Sequence, residues 1–387
     1  MFASLSLIGA LVFLLGHGQA YPMRWCTTSA EEQNKCNAFI AVVNDSNVNP
    51  SCVQAASAIQ CMEKIKNGDA DLVTLDGGEI YRAGKKYGMV PVVAEQYGYG
   101  AFYYAVAVAK LNSGVTMKTL KGKKTCHTGA GKTSGWVVPI GFLLSKQYMK
   151  QDKSSCNPYI SAGNYFKQSC IPNVKSSKID STGKNPSNLC EPMCPSECKT
   201  TGKYSGYSGA FKCLMDGVGE VAFVKHTTVM ENVNGSDASK YRYLCTDGTM
   251  KEIGQHLACH LAKVPSHAVM TSSENSNKAN YVKILMKVSD EYGVKQSNSS
   301  MFQLFNSQKF GGKDLLFKDS TMSFLDVSSK TTAKYLGVDY MKDLEALDDC
   351  VTPTAGPTAG PTAGSSDNKP YGFLASVVFM FVVLVLS

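Results

Sequence analysis

YYAVAVAK, residues 103–110, is an unbroken apolar run that opens with two tyrosines and closes with a lysine. A run of this kind, rich in Val and aromatic residues, is typical of a buried strand. The segments ADLVTLD (70–76) and GEVAFVKH (219–226) have the same character. In contrast, VQAASAIQCMEKIKNG (53–68) and NYVKILMKVSDEYG (280–293) have the apolar spacing of amphipathic helices. Strands that alternate with helices predict an α/β protein.

The two ends of the sequence have the composition of processing signals. Residues 1–20 form a short apolar run that ends in small residues, which predicts a secretory signal peptide. The repeated PTAG units within 351–364 predict an extended stalk. Residues 365–387 begin with small residues and end with about fifteen mostly apolar ones, whereas a bilayer span needs about 20. This tail predicts a GPI-attachment signal, with a single-pass anchor as the alternative.

Between these ends, residues 21–350 are long enough for two domains. Fourteen cysteines in a secreted chain predict about seven disulfides instead of metal sites, and the Cys- and Pro-rich segment 150–206 is expected to be irregular. Asn44, Asn234 and Asn298 open Asn-x-Ser sequons, which agree with an extracellular site. The net charge of +8 is spread along the chain, so nucleic acid is not expected as a partner.

The segment KKTCHTGAGKTSGW (123–136) contains Gly131-Lys132-Thr133, the ending of a phosphate-binding P-loop. A P-loop also needs a glycine five residues before Gly131, and that position is Cys126. A cysteine side chain disfavours the positive φ with which such a loop opens. A nucleotide is therefore not expected here.

Two other patterns look like zinc sites. His256 and His260 have helical spacing, but the H-E-x-x-H form of zinc proteases needs a glutamate where this chain has Leu257. The cysteines between 190 and 198 are spaced like a metal knuckle, but disulfides are expected in an oxidising compartment. Because no nucleophile–base pair is identifiable either, we do not expect an enzyme.

Asp76, Tyr103, Tyr207 and His267 are metal-binding side-chain types that stand at or near predicted strand ends. Taken singly, each of these residues is more often structural. No spacing rule alone joins the four.

A resemblance joins them. The chain carries, in family order, motifs that resemble a single lobe of a transferrin over nearly all of 21–350, and the stalk and tail resemble its membrane-anchored, melanotransferrin-like branch. The motifs are RWCTTSAEEQNKC, LDGGEIY, VVAEQYG, FYYAVAV, GKKTCHTG, GYSGAFKCL, VAFVKH, CHLAKVPSHAV, FQLF and GKDLLFKDS.

The resemblance implies a site for one ferric ion and one carbonate. Its protein ligands would be the Asp76 carboxylate, the Tyr103 and Tyr207 phenolates and the His267 imidazole. Fe³⁺ is a hard cation that favours oxyanion donors. The implied carbonate site lies at a helix N-terminus, where free N–H groups attract an anion; it comprises Thr128, Lys132, Ser134 and Gly135.

Lysines in this pattern have two further implications. The family usually has arginine at the position of Lys132, and a lysine keeps the charge but loses the planar fork. Lys225 and Lys318 match a pair that lies side by side across the cleft in some lobes and repels when both are protonated. Two surface lysines are the alternative for that pair.

The implied fold is a two-domain α/β lobe like the periplasmic binding proteins. One domain would take 21–101 plus 265–350 and the other 102–264, with crossing strands near 98–104 and 262–268 as a hinge. The implied disulfides are Cys26–Cys61, Cys36–Cys52, Cys126–Cys213, Cys245–Cys259 and Cys156–Cys350. The pairing among Cys170, Cys190, Cys194 and Cys198 stays open.

The expected function is reversible binding of Fe³⁺ with carbonate at the extracellular face of the plasma membrane, for iron uptake or sequestration. The expected form is a monomer held by a lipid anchor, and a cell-surface receptor is left open. The alternative is a structural or matrix glycoprotein that keeps the scaffold with weak or no iron binding.

Overall fold

The computed structural model describes residues 20–294, 302–348 and 350. The predicted stalk 351–364, the predicted GPI signal 365–387, Asn298 and all but the last residue of the predicted signal peptide lie outside these residues. Among the described helices, none combines the length and the apolar composition that crossing a bilayer requires.

Within the described ranges the chain forms thirteen β-strands and eleven α-helices. The strands are β1 (Tyr21–Thr27), β2 (Val48–Gln54), β3 (Val73–Leu75), β4 (Met89–Gln96), β5 (Phe102–Lys110), β6 (Lys124–His127), β7 (Gln168–Cys170), β8 (Val221–Lys225), β9 (Tyr241–Leu244), β10 (Met250–Glu252), β11 (Ala262–Pro265), β12 (Ala268–Ser272) and β13 (Ser323–Asp326). The helices are α1 (Ala30–Ala41), α2 (Ala58–Lys66), α3 (Gly77–Tyr87), α4 (Val138–Ser145), α5 (Pro158–Tyr165), α6 (Gly206–Met215), α7 (Thr228–Asn232), α8 (Gly235–Ala238), α9 (Lys278–Tyr292), α10 (Thr332–Leu336) and α11 (Val338–Asp348).

The larger sheet is built around β5. Its strand order is β10-β9-β5-β8-β6-β7, and β11 also pairs with β5. β5 runs antiparallel to β8, β9 and β11, whereas β6 is parallel to β7 and β8. Residues 105–109 of β5 are at most 1% exposed, which explains why the strand is an unbroken apolar run. The predicted α/β class is confirmed.

The smaller sheet has the order β13-β4-β12-β3, and all of its pairs are antiparallel. β1 and β2 form a separate parallel pair beside it. Part of its apolar side chains form a second core, with Trp25 against the rings of Phe39 and Phe317, while others, such as Leu75 and Met270, belong to the core that includes the larger sheet. The described helices and strands therefore form two groups, each built around one of the two sheets.

The chain passes between the two sheets twice. It leaves β4 and enters β5 through residues 97–101, and it leaves β11 and enters β12 through residues 266–267. β5 and β11 pair directly, with Phe102 opposite Pro265. The crossings fall where the hinge strands were expected, and the domain bounds 21–101, 265–350 and 102–264 stay a prediction.

Two predicted elements have different bounds in the structure. The helix expected over 53–68 begins only at Ala58, because residues up to Gln54 pair with β1 and Ser57 caps the helix by accepting the Gln60 N–H. The strand expected over 70–76 is reduced to β3, because Asp76 already caps α3. The other quoted strands and the helix near 280–293 are present within a few residues.

All fourteen cysteines are paired. The five pairs implied by the resemblance are present: Cys26–Cys61, Cys36–Cys52, Cys126–Cys213, Cys156–Cys350 and Cys245–Cys259. The two pairs left open are Cys170–Cys194 and Cys190–Cys198. Both lie in the segment 150–206, which holds α5, β7 and short 3-10 turns between irregular stretches.

Candidate metal and anion site

A single cleft collects the predicted donors. Asp76, Tyr103, Tyr207 and His267 all line a cavity of about 1410 Å³. Asp76 and His267 follow elements on the side of the smaller sheet, whereas Tyr103 and Tyr207 lie on β5 and α6 on the side of the larger one. The four side chains therefore reach the cleft from both groups of elements.

Asp76 is fixed by the helix that it begins. Its Oδ1 accepts a hydrogen bond from the Glu79 N–H at 3.0 Å, and the Glu79 side chain faces the Asp76 N–H in return. This capping box uses one carboxylate oxygen and leaves Oδ2 for a ligand. Burial raises the pKa of the Glu79 carboxyl to about 7, and the Asp76 charge adds to this.

Tyr103 and Tyr207 meet at Ser134. The Ser134 Oγ lies 3.4 Å from the Tyr207 Oη, and the Tyr103 phenol is also next to the Ser134 hydroxyl. Burial raises the pKa of Tyr103 well above its usual value, and the neighbouring Tyr207 raises it further. A trivalent cation would act in the opposite direction, because metal coordination favours the deprotonated ligand.

His267 stands in the short crossing between β11 and β12. The backbone N–H of His267 donates to the Tyr97 Oη at 3.4 Å, and the Tyr97 hydroxyl donates to Glu95 at 3.2 Å. Glu95 is 1% exposed and also accepts from the Thr321 hydroxyl at 2.7 Å. Burial raises the pKa of Glu95, while the nearby His267 lowers it. This network fixes the backbone that carries the imidazole.

The anion segment is a π-helical turn, Thr133–Val137, that continues into α4. The Trp136 and Val137 N–H groups both donate to the Lys132 carbonyl, so the amides of residues 133–135 precede the first intrahelical bonds. Cys126, which replaces the first P-loop glycine, lies in β6 and is bonded to Cys213. The segment therefore offers amide donors at a helix N-terminus without being a P-loop.

Thr128 and Gly135 shape this anion site. The Thr128 Oγ1 is buried and has no hydrogen-bond partner among the described residues. A Cβ on Gly135 would lie 2.0 Å from that oxygen, so glycine is required for the turn to approach Thr128. The buried His127 Nδ1 donates to the Gly135 carbonyl at 2.6 Å and holds this peptide in place. An unpartnered hydroxyl beside free amides fits a small oxyanion.

Lys132 is the cap residue of the π turn and lines the cleft. Its side chain is exposed, and no hydrogen bond or ion pair joins it to another side chain in the part of the chain that the structure describes. An ammonium on a flexible stem can approach an anion at this position, but nothing in its surroundings fixes its direction.

Lys225 and Lys318 also line the cleft. Lys225 Nζ lies 2.9 Å from Glu231 and 5.3 Å from the centre of the Tyr207 ring, and Lys318 Nζ lies 3.2 Å from Asp314. Each lysine is therefore paired with a carboxylate in this structure. Their action as a pH trigger stays a prediction.

The zinc-like patterns do not form zinc sites among the described residues. The His260 Nδ1 donates to the His256 carbonyl, and both rings pack against Tyr104. Cys190 and Cys198 lie near Glu191 but are bonded to each other, so they cannot bind a metal as thiolates.

Some residues of the site were not predicted. Glu95 and Tyr97 orient the His267 backbone, and the sequence signal for them is a carboxylate inside an apolar strand, MVPVVAEQ. Tyr340 on α11 is 1% exposed and packs on the residue after Asp76. A tyrosine in an amphipathic helix carries no sequence signal for such a position.

The chemistry of the donor set suits a trivalent cation. One carboxylate and two phenolates would supply three negative charges, and the imidazole would supply a fourth donor. Hard cations favour such oxygen ligands, and the anion segment could supply further oxygens through a bound oxyanion.

Several known proteins are similar to this chain in sequence. The Transferrin family model matches residues 23–349. Serotransferrin of Paralichthys olivaceus is 42% identical over 337 residues, which are 84% of this chain and 44% of that protein. Melanotransferrin of Homo sapiens is 36% identical over 346 residues, 84% of this chain and 45% of that protein. Lactotransferrin of Camelus dromedarius is 38% identical over 362 residues, 89% of this chain and 49% of that protein.

This chain thus spans just under half the length of the relatives that it matches. The family match covers nearly every described residue, including all the candidate ligands. The chain belongs to the transferrin family, whose members are non-enzymatic iron-binding proteins that typically bind Fe³⁺ with carbonate.

Proposed function

We propose that the cleft reversibly binds one ferric ion together with one carbonate, outside the cell, for iron uptake or sequestration. The observation that supports this most is that four donors of the right type line a cleft beside a helix N-terminus with an unpartnered buried hydroxyl. In this proposal Asp76, Tyr103, Tyr207 and His267 hold the metal.

The anion would be held by residues from one loop and turn. Thr128 offers its hydroxyl, Ser134 and Gly135 offer amide N–H groups, and Lys132 offers a positive charge. The Gly206 N–H donates to the Thr128 carbonyl at 2.9 Å, so the anion loop and the helix of Tyr207 are joined. A bound carbonate and the Tyr207 phenolate would therefore be positioned together.

Release in acid follows from the same residues. A ring nitrogen must be unprotonated to bind a metal, so a proton competes with a metal for the His267 ring. Phenolates and carbonate also take up protons as pH falls. We therefore expect iron to leave the cleft on acidification.

The tyrosine ligands supply the test, because a phenolate bound to Fe³⁺ has a visible charge-transfer band. Tyr207→Phe should abolish the band, since it removes a ligand. Tyr104→Phe is the matched control, because Tyr104 neighbours Tyr103 on β5 but packs against His256 and His260. If Tyr104→Phe removes the band and Tyr207→Phe keeps it, the assignment of ligands is wrong.

The alternative function is that of a structural or matrix glycoprotein with weak or no iron binding. The unfixed side chain of Lys132 favours weaker binding. This alternative would be supported if the natural protein showed no visible band at saturating ferric iron and bicarbonate.

We also propose that the protein is held at the outer face of the plasma membrane by a GPI anchor. The support is the composition of residues 365–387 alone. Phosphatidylinositol-specific phospholipase C should release the protein from intact cells. Retention after treatment, with the apolar tail still detectable by mass spectrometry, would instead indicate a transmembrane anchor.

A further inference from the structure

Tyr340 lies where the last helix meets both sides of the cleft. α11 contacts α3, the π turn, α4 and β11, so it touches the element that begins at Asp76 and the element that offers the anion amides. Within α11, Tyr340 lies at this junction. Its neighbours include the Asp76 carboxylate and the Thr133 hydroxyl.

The packing around the Tyr340 ring is close. A Cβ on Gly77 would lie 2.8 Å from the Tyr340 Oη and 2.9 Å from its Cε1. Real Cβ atoms do not approach other atoms so closely, so glycine at position 77 lets the turn after Asp76 rest directly on the phenol. A displacement of this ring would therefore shift the backbone at Asp76.

The Tyr340 hydroxyl is buried beside the Thr133 hydroxyl, but no hydrogen bond of good geometry joins it to any described residue. Buried polar groups are nearly always paired, and an unpaired one lowers stability. Phenylalanine would fill the same space without this cost. The hydroxyl would be paired if it gained a partner in another state of the cleft.

Other contacts hold α11 and α10 in place. On α11, Asp343 accepts a hydrogen bond from the Ser145 hydroxyl of α4 at 3.1 Å. On α10, the Tyr335 hydroxyl donates to the Ser266 carbonyl at 2.9 Å, one residue before His267. The two helices therefore connect the anion helix, the Asp76 turn and the His267 crossing.

We infer that Tyr340 is a positioning residue of the iron site, which holds the Asp76 turn and the start of the π turn at a fixed separation and uses its hydroxyl when the cleft is loaded. This inference rests on the proposed function. It assigns Tyr340 no bond to the metal.

The test compares Tyr340→Phe with Tyr281→Phe. Tyr281 is equally buried in the other core, but its hydroxyl already donates to the Pro22 carbonyl at 2.8 Å. Tyr340→Phe should leave the thermal midpoint of the iron-free protein unchanged or higher, weaken iron binding about tenfold or more, and move acid release to higher pH. Tyr281→Phe should lower the midpoint of both forms equally and leave acid release unchanged.

Two results would overturn the inference. One is an unchanged release pH in Tyr340→Phe. The other is a midpoint of iron-free Tyr340→Phe that falls as far as that of Tyr281→Phe, which would mean that the hydroxyl is paired in the unloaded fold.

A second measurement tests the role of Tyr340 even if the proposed function is wrong. If the natural protein binds no iron, the proposed function fails, but Tyr340 can still be tested. The ultraviolet difference spectrum produced by adding bicarbonate is then measured for iron-free Tyr340→Phe and for the iron-free natural protein. Equal spectra would then overturn the role of Tyr340, whereas a weaker response in the variant would support it at the anion site alone.

Discussion

Lys132 stands at the cap of the π turn, where the family resemblance implies an arginine. An arginine can donate two parallel hydrogen bonds to a planar anion, whereas a lysine acts as a flexible point charge. Because the carbonate would contact both the metal and the anion loop, weaker hydrogen bonding to carbonate would also lower the affinity for iron.

Lys132→Arg should therefore bind iron more tightly and release it at lower pH. A charge-assisted hydrogen bond contributes about 1.5–3 kcal/mol, which is about one to two decades in affinity, and the contact of lysine itself offsets part of this gain. Lys132→Ala should release iron at higher pH than the natural protein, because it removes the charge. The measurement is a pH titration of the visible iron band at fixed bicarbonate. Release from Lys132→Arg at a higher pH than from the natural protein would mean that the loop is adapted to lysine.

Single residues of the site were predictable to different degrees. Asp76, Tyr103, Tyr207 and His267 were selected by resemblance, and the structure brings them to one cleft, while their role as ligands stays a prediction. Glu95 had a sequence signal, a carboxylate inside an apolar strand, whereas Tyr340 could not be selected, because its importance depends on which distant groups it contacts after folding. Sequence position alone does not encode such contacts.

At the scale of elements, strands buried on both faces were the most predictable. β5 and β8 are continuous apolar runs whose bounds differ from the prediction by at most two residues. The start of α2 was less predictable, because the apolar pattern continues through β2 into the helix, and pairing with β1 decides the boundary. Tertiary pairing overrides local periodicity there.

The π turn could not be predicted from periodicity. Its form depends on the close approach of Gly135 to Thr128 and on the hydrogen bond from His127 to the Gly135 carbonyl. Burial lowers the pKa of His127 to about 4, so this ring is neutral at physiological pH and keeps its Nδ1–H for that carbonyl. A buried histidine next to Thr128 thus supports the shape of the anion segment.

At the scale of the whole molecule, the cleft exists because the chain crosses between two sheets at residues 97–101 and 266–267. Asp76 and His267 lie on one side, and Tyr103, Tyr207 and the anion segment lie on the other. A cation that binds all four donors would therefore link the two groups of elements. The crossings are short connections of the kind that act as hinges.

The most direct test of the central claim is a titration of the iron-free protein with ferric nitrilotriacetate, followed by the visible band, in buffer with bicarbonate and in bicarbonate-free buffer. The account predicts a band that saturates at one ferric ion per chain with bicarbonate and is weak without it, because metal and anion would bind as a unit. The absence of a saturable band in bicarbonate, or an equal band in both buffers, would contradict it.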